Sequence, residues 1–597
     1  MGELPALSWT GGVPGGLRFG GGLAYGGEGC AVEKRTHTYG RGVRGATCAY
    51  RHRVVVYGQG TGCEAVSGRR RRAAPKKAVR RRNGFLLGAG LLAAGAIAAA
   101  VTLWPSGGGT PNGTGSTIAG SPTRTYPMSQ APQTVPAVRE HTAARGPGWR
   151  PSSGARVVVD DDALADEGRL IAGELKLSYA GRTGARDGDV ELSLSGSGDQ
   201  ESYTMTVQNG RVKIAGPGEA GVFYGTRTLK QEVHGGGTAP EGVVRDAPAK
   251  PRRGLMLDIA RKYFTPGWIE DRIREIGDLK YNEIGLHFSD DQSFRIESSS
   301  HPEIVSKEHL TKAEVKKIVD LAASRHITVV PEIDSPGHLG AVIAAHPDLQ
   351  LRNAAGVPTR GAIDISKPAA AKIVDDLLNE FADVFPGSYW HLGGDEYQAL
   401  MASNPATAYP QLAAAAKARF GAGAGVADLT TGWLNDRADV MRKHDRTMRA
   451  WNDGFYRSSS VPAAKDLEVA YWTGKEIGAR QPTEYLDAGR KVINYNDEFL
   501  YYVLGEPQTF VYPTGQRIFE QWNPRVLRGT TAVPARYDGQ ILGGVFAVWC
   551  DYATAQTQDQ VAAGIRMPLR AMAQKVWDAR TPTMSWTQFK QLADRLG

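Results

Sequence analysis

From Pro251 onward, short apolar runs alternate with longer amphipathic stretches. The runs are Leu255–Ile259, Glu283–Phe288, Ile327–Ile333, Tyr389–Leu392, Thr447–Trp451, Val469–Trp472, Val492–Tyr495 and Val545–Trp549. Runs of four to seven residues rich in β-branched and aromatic side chains predict strands buried on both faces. The stretches between them, 266–280, 311–325, 367–383 and 429–445, have the length and spacing of helices. Eight strands alternating with helices predict a (β/α)8 barrel. An open doubly wound sheet has the same alternation. No glycine-rich phosphate loop follows the first run, however, which argues against its nucleotide-binding form.

Residues 136–250 have a different texture. Val190–Leu194 and Tyr203–Val207 alternate apolar and polar positions, and Asn209-Gly210 is a hairpin-turn signal ahead of Val212–Ile214. Gly221-Val222-Phe223-Tyr224-Gly225 leads into a helical stretch through Leu229. The pattern predicts a small α+β domain in front of the barrel. Residues 106–135 are mostly Gly, Pro, Ser and Thr and read as a flexible linker. Residues 83–105 contain an uncharged run rich in Leu, Ala and Gly. It follows Arg69–Arg72, Lys76-Lys77 and Arg80–Arg82. A basic patch abutting about 20 apolar residues predicts a signal or membrane-anchor segment with its N-side in the cytoplasm. The expected location is therefore exported, either secreted or anchored on the outer face of the cytoplasmic membrane. Residues 1–82, Gly-rich and then basic, read as disordered.

Charge changes the picture only at that end. The 597 residues carry a formal net charge of +9, but residues 1–105 hold 16 Lys and Arg against 4 Glu. The remainder has 55 basic and 58 acidic side chains, so no basic groove for nucleic acid is indicated. Of the four cysteines, Cys30, Cys48 and Cys63 precede the predicted domains and Cys550 stands alone, which leaves no internal disulfide framework. No CxxC or paired Cys/His spacing suggests zinc, and no cofactor is expected.

Candidate chemistry appears at the strand ends, where barrel active sites lie. The first run ends near Asp258 and Arg261, and the second at Ser289-Asp290-Asp291. The third ends at Glu332, Asp334 and Pro336-Gly337-His338, and the fourth at Gly393-Gly394-Asp395-Glu396. The fifth ends at Trp451-Asn452-Asp453 and the sixth at Tyr471-Trp472. The seventh ends at Asn494–Glu498 with Tyr501 beyond, and the last at Trp549 and Asp551. A lone Asp-Glu pair usually opens a helix, and a lone Pro-Gly-His is usually a turn. Their joint placement at successive strand ends is not required by turns or packing. Carboxylates, a histidine and tryptophans on one rim suit a sugar, whose C–H faces stack on aromatic rings while carboxylates handle protons and hydroxyls.

His391-Leu392-Gly393-Gly394-Asp395-Glu396 resembles the signature of family 20 glycoside hydrolases, the β-N-acetylhexosaminidases. The resemblance extends to Leu257–Arg261, His287–Gln292, Pro331–His338 and the small domain with its Thr228-Leu229-Lys230-Gln231. It implies removal of terminal β-linked N-acetylglucosamine or N-acetylgalactosamine, with the substrate's 2-acetamido oxygen as nucleophile and an oxazolinium intermediate. By that resemblance Glu396 would be the general acid and then the base. Asp395 would accept the acetamido N–H and Tyr501 would donate to its oxygen. Trp451, Trp472 and Trp549 would wall the acetamido pocket. Arg261 and Asp551 would hold the sugar's 3- and 4-hydroxyls, and His338 with Asp290 would sit behind Glu396. No metal or organic cofactor is implied. The implied partners are oligosaccharides or glycoconjugates carrying β-linked N-acetylhexosamine, with no nucleic acid and with membrane contact only through the N-terminal segment.

The sequence departs from the family pattern at two places. Members commonly carry Glu where Asp551 stands, and Tyr-Leu-Asp where this chain reads Tyr501-Tyr502-Val503. A shorter Asp551 widens the pocket in the direction of lacto-N-biosidases, relatives that release a disaccharide, whereas a long Arg261 favours a single terminal sugar. A rival of another class is an inactive cell-surface glycan-binding protein, against which the intact Asp395-Glu396 pair argues.

Overall fold

The structure, a computed structural model, describes residues 125–475 and 479–597. The expected disordered segment 1–82, the apolar segment 83–105 and most of the linker lie outside the described residues. Among the described residues no helix is long and apolar enough to cross a membrane.

The small domain is a seven-stranded sheet. Its strand order is Glu140–Ala143, Gly242–Asp246, Tyr203–Gln208, Arg211–Gly216, Val190–Leu194, Arg156–Val159 and Ser178–Tyr179. The period-two pattern does what it predicts: Tyr203, Met205, Val207, Val212 and Ile214 point into the domain's core. Asn209 and Gly210 take φ of 52° and 68°, the left-handed pair that a two-residue type I′ hairpin needs. Helices Ala165–Leu175 and Glu219–Gly236 lie along the sheet. Ordered structure begins before the expected boundary at 136. Thr134 and Val135 are buried, and the Gln231 side chain both accepts from Val135 N (2.7 Å) and donates to its carbonyl (2.9 Å). A composition rich in turn formers marked this stretch as linker, yet Pro132, Thr134 and Val135 are buried and Gln231 docks the last of them.

The barrel has eight parallel strands: β1 Arg252–Asp258, β2 Glu283–His287, β3 Thr328–Glu332, β4 Tyr389–His391, β5 Thr447–Trp451, β6 Glu468–Tyr471, β7 Val492–Asn494 and β8 Ile541–Trp549. Each pairs with the next, and β8 pairs with β1, so the sheet closes. An unforeseen short strand, Tyr501–Val503, lies parallel to the last residues of β8. Helices Pro266–Asp278, Lys312–Ala323, Pro368–Val384 and Val426–Arg442 occupy the predicted stretches. Thr311 and Glu314 form a capping box at the start of the second, and Ile269, Ile273 and Ile276 give the first its buried stripe.

Buried ion pairs join the two parts into one compact unit. Arg253 on β1 sends its guanidinium to Glu201 of the small domain (2.6 and 2.9 Å) and to the carbonyls of Lys250 and Lys280. Lys280, fully buried, meets Asp246 (3.3 Å), Tyr203 and Thr228. Trp577, at the end of the last barrel helix Gln558–Trp577, packs in the small domain's core.

Candidate active site

The C-terminal ends of the strands converge on a cavity of about 320 Å³ lined by Arg261, His338, Asp395, Glu396, Trp472, Tyr501, Trp549 and Asp551. Eight of the ten residues singled out from the sequence therefore meet there. The other two stand one layer back. Asp290 is buried beneath Arg261. Trp451, expected in the wall, is 1% exposed and lies behind Trp549, because its indole N–H is drawn inward to Glu332 (2.7 Å) and its ring onto His391 (4.4 Å). Tyr501 and Trp472 stack with rings 3° from parallel, and Phe510 extends the stack. Tyr502 faces away, its hydroxyl on Gln556 and its ring on Tyr512.

The glycines of the fourth strand end set the geometry. Gly393 and Gly394 have φ of 64° and 101°, and Glu396 takes φ of 47°. A Cβ at Gly393 would fall 1.9 Å from Asp334 Oδ1, so only glycine lets the chain turn there. That turn brings Gly394 N to Asp334 Oδ1 (2.7 Å). It also points the adjacent carboxylates differently: the Asp395 side chain is 13% exposed and that of Glu396 is 43% exposed. Asp453 fastens the acid to the wall, accepting from Glu396 N (3.1 Å) and from Trp472 Nε1 (2.9 Å).

Charge behind the cavity is arranged as a chain. Asp290 takes contacts from Arg261 Nη2 (2.8 Å), His287 Nε2 (2.7 Å) and His338 Nδ1 (3.3 Å). Burial works to raise its pKa, yet His338, His287 and Arg261 hold it well below the usual carboxylate range. Arg261 is fixed from its other side by Asp258 (3.0 Å). His287 also faces Glu332 (3.2 Å). Although burial opposes its charge, the two carboxylates lift it to about 10. His391 is the contrary case: burial lowers it to about 4, and its Nδ1 accepts from Gly393 N.

His338 Nε2 stands between the two catalytic candidates, 3.7 Å from Asp395 Oδ2 and 3.5 Å from Glu396 Oε2. Burial disfavours its charge, but Asp290 and Asp395 raise its pKa well above the usual imidazole value. Its hydrogen bond in turn lowers Glu396, against the effect of burial. Asp395 is raised well above the usual carboxylate value by burial and then by Asp334, which is itself raised to about 7, chiefly by burial. Both carboxyls therefore hold a proton more tightly than an exposed aspartate does. Asp334, His338 and Asp395 bring one ligand atom each within 4.8 Å of one another.

Sequence reading missed the far wall. Gln508 and Phe510 reach the cavity from the loop after Tyr501–Val503, and Lys475 pairs with Asp497 (2.6 Å) at its edge. The proline- and glycine-flanked segment 504–514 was the available signal. A second cavity of about 580 Å³ adjoins the first across Arg261, His338, Glu396, Gln508 and Asp551, and is walled further out by Thr359, Arg360 and Gln398.

A rim of this kind holds a sugar ring against aromatic faces with proton-carrying groups beside it, which places the protein among the barrel glycosidases. Residues 251–580 match the glycosyl hydrolase family 20 catalytic domain and residues 131–247 match glycosyl hydrolase family 20, domain 2; the chain belongs to glycosyl hydrolase family 20. It is similar to a lacto-N-biosidase of Bifidobacterium bifidum, 29% identical over 477 residues covering 78% of this chain and 42% of that protein. It is also similar to a β-N-acetylhexosaminidase of Cellulomonas fimi, 33% identical over 256 residues, 38% of this chain and 50% of that one. The chain thus spans half or less of the length of these two curated relatives. Among solved structures, a mutant Streptomyces plicatus β-hexosaminidase in complex with product (GlcNAc) superposes with a TM-score of 0.63 at 25% identity, covering 80% of this chain and 95% of that one.

Proposed function

We propose that the protein is a retaining β-N-acetylhexosaminidase that removes terminal β-linked N-acetylglucosamine or N-acetylgalactosamine with the substrate's own acetamido group as nucleophile. The observation that carries this reading is the division between adjacent carboxylates, Asp395 within the aromatic-walled cavity and Glu396 at its mouth. The acetamido carbonyl oxygen attacks the anomeric carbon as the bond to the leaving oxygen breaks, and Glu396 gives that oxygen a proton. Water, deprotonated by Glu396, then opens the oxazolinium ring. Ionised Asp395 accepts the acetamido N–H and offsets the positive charge that develops. Tyr501 donates to the acetamido oxygen, and Arg261 and Asp551 hold ring hydroxyls. In the free enzyme the pKa of Glu396 is lowered while those of His338, Asp334 and Asp395 are raised. His338, within 4 Å of both carboxylates, is placed to pass its proton to Glu396, and Asp395 must release its own proton to solvent before it can accept the substrate's N–H.

An aryl 2-acetamido glycoside and the same glucoside without that group test the proposal. An oriented internal nucleophile supplies ~7–11 kcal/mol of the barrier, so the glucoside should be slower by orders of magnitude. Comparable rates, or a fluoro-sugar adduct on Asp395, would make the enzyme a two-carboxylate glycosidase instead.

The adjoining cavity at Asp551 supports a second reading, release of a disaccharide. Aryl lacto-N-bioside turned over faster than aryl N-acetylglucosaminide would establish it. Turnover of neither would favour the inactive glycan-binding protein. We also propose that the enzyme acts outside the cytoplasmic membrane, on the support of the basic patch and apolar run at 69–104. Recovery of the activity only from the cytoplasmic fraction would refute that location.

A further inference from the structure

Away from the cavity, two loops of the barrel bring His301, Glu303 and His346 together. His301 and Glu303 lie between β2 and its helix. His346 caps the C-terminal end of helix Gly340–Ala345, which follows β3. Glu303 Oε1 is 2.9 Å from His301 Nδ1 and 2.9 Å from His346 Nε2, and one donor atom from each of the three residues lies within 4.8 Å of the others. Tetrahedral ligands at ~2.0–2.2 Å from a zinc ion stand ~3.3–3.6 Å apart, so the 2.9 Å contacts must open by about half an ångström to receive one. Side-chain exposures of 16%, 41% and 31% leave an open side for water.

The rear of His301 supplies an independent observation. Its Nε2 meets Asp376 Oδ2 at 3.3 Å, on helix Pro368–Val384, and Lys372 holds the same carboxylate. Both ring nitrogens thus face carboxylate oxygens, while a neutral imidazole has one N–H. A neutral His301 whose N–H serves Asp376 presents its Nδ1 lone pair toward Glu303, where a cation can sit between the two acceptors; an imidazolium would instead donate to both carboxylates. A carboxylate behind a ligating histidine is the arrangement that fixes the tautomer and ring orientation for a metal. The segment is also braced: Ser298 and Ser300 hydroxyls bond Glu380 of the same helix.

We propose that His301, Glu303 and His346 form a zinc-type divalent cation site, with water completing the coordination and Asp376 as the positioning residue. The ion clips the 298–304 connection to helix Gly340–Ala345. At its other end that helix is tied to the active-site rim, Gly340 N donating to Asp291 Oδ1 (3.1 Å). The ion is structural: it sits apart from the reacting atoms and takes no part in turnover.

The test compares full chains that share the upstream His37, His52, Cys30, Cys48 and Cys63, which can themselves hold zinc. After dialysis against Zn²⁺ and removal of excess, the native chain should retain one ion more per molecule than His301→Gln/His346→Gln. Glu303→Gln, which keeps the side chain's shape, provides the same comparison should the double variant misfold; turnover of an aryl glycoside at the native rate shows that either is folded. Asp376→Asn should weaken the zinc that distinguishes native from variant by ~10–100-fold. Substituted Co²⁺ should show d–d absorption in the native-minus-variant difference spectrum without a thiolate charge-transfer band. Equal zinc counts in the native chain and a folded variant would overturn the site.

Discussion

The raised proton affinity of Asp395 beside Asp334 opposes the ionised form that can receive an acetamido N–H. Burial first, and Asp334 second, keep Asp395 protonated at pH values where an exposed aspartate is ionised. An acceptor must be ionised, so kcat/KM should fall as pH drops through the titration of the pair. Asp334→Asn retains an oxygen for Gly394 N but removes the charge that raises Asp395. The acidic limb of the pH profile should therefore move to lower pH; a limb that stays or moves upward would show that the pair does not control it. Glu396→Gln should keep binding and lose most turnover, by ~10²–10⁴-fold, with aryl substrates of good leaving group least affected because they need little protonation. Hydrolysis of a natural oligosaccharide at the parental rate would remove Glu396 from its role. Asp395 and Glu396 were legible in the sequence as an acidic pair after two glycines. Their unequal proton affinities were not, because the difference comes from the depth of Asp395 in the folded barrel and from Asp334 and His338, about 60 positions earlier in the chain and on another strand end.

At the scale of elements, the strand ends rather than the strands carry the chemistry. β4 is three residues long, and the glycines after it have positive φ. Gly393→Ala would drive a methyl group into Asp334 Oδ1, and either the turn or Asp334 must give way. A displacement of about 1 Å can cost ~100-fold in rate. The variant should thus lose activity by at least that factor and also unfold at lower temperature, whereas Gly421→Ala, at a positive-φ position with open space around it, should leave turnover unchanged. Full activity in Gly393→Ala would mean that the turn is not what places Asp334 and Asp395. The eight strands could be read from sequence because each is a run buried on both faces, which short-range hydrophobicity reports directly. Tyr501–Val503 escaped notice because its three residues follow β7 closely and pair only with β8, a contact set by closure of the barrel. Trp451 looked like its neighbours Trp472 and Trp549 for a similar reason: its depth is decided by Glu332 two strands away.

At the scale of the whole molecule, the small domain is a structural partner of the barrel. The composition change near residue 250 marked their boundary, but the polar groups buried between them left no local pattern. The residues around 136 belong to the same junction, since Ala137 N donates to Gln574 Oε1 of the last barrel helix (2.8 Å). A chain beginning at Tyr126 should turn over aryl glycoside like the full chain. One beginning at Pro136 should be measurably less stable, having lost Val135 and its bonds to Gln231. Equal unfolding midpoints for the two would put the boundary back at 136.

Arg253 gives the sharper measurement of what joins the two parts. Its side chain is 1% exposed, and it satisfies Glu201, two main-chain carbonyls and the Tyr224 hydroxyl at once. Burial disfavours its charge, but Glu201 and Tyr224 more than compensate, so it stays a cation. Arg253→Met would fill much of the same volume while leaving Glu201 with only Tyr224 and Asn282 and no cation, and the carbonyls of Lys250 and Lys280 without their donor. Breaking one side of a buried pair costs ~3–5 kcal/mol. Arg442 is a fair control: it pairs with Asp466 at 2.9 Å, but the two are 42% and 52% exposed, and such surface pairs contribute under ~1 kcal/mol once solvent screening is counted. Urea unfolding at neutral pH should therefore show a far lower midpoint for Arg253→Met than for Arg442→Met. Because the lost contacts lie on both sides of the junction, barrel and small domain should still unfold together in the variant. A midpoint no lower than that of Arg442→Met would show that packing of Trp577 and its neighbours, rather than the buried charges, holds the two parts together.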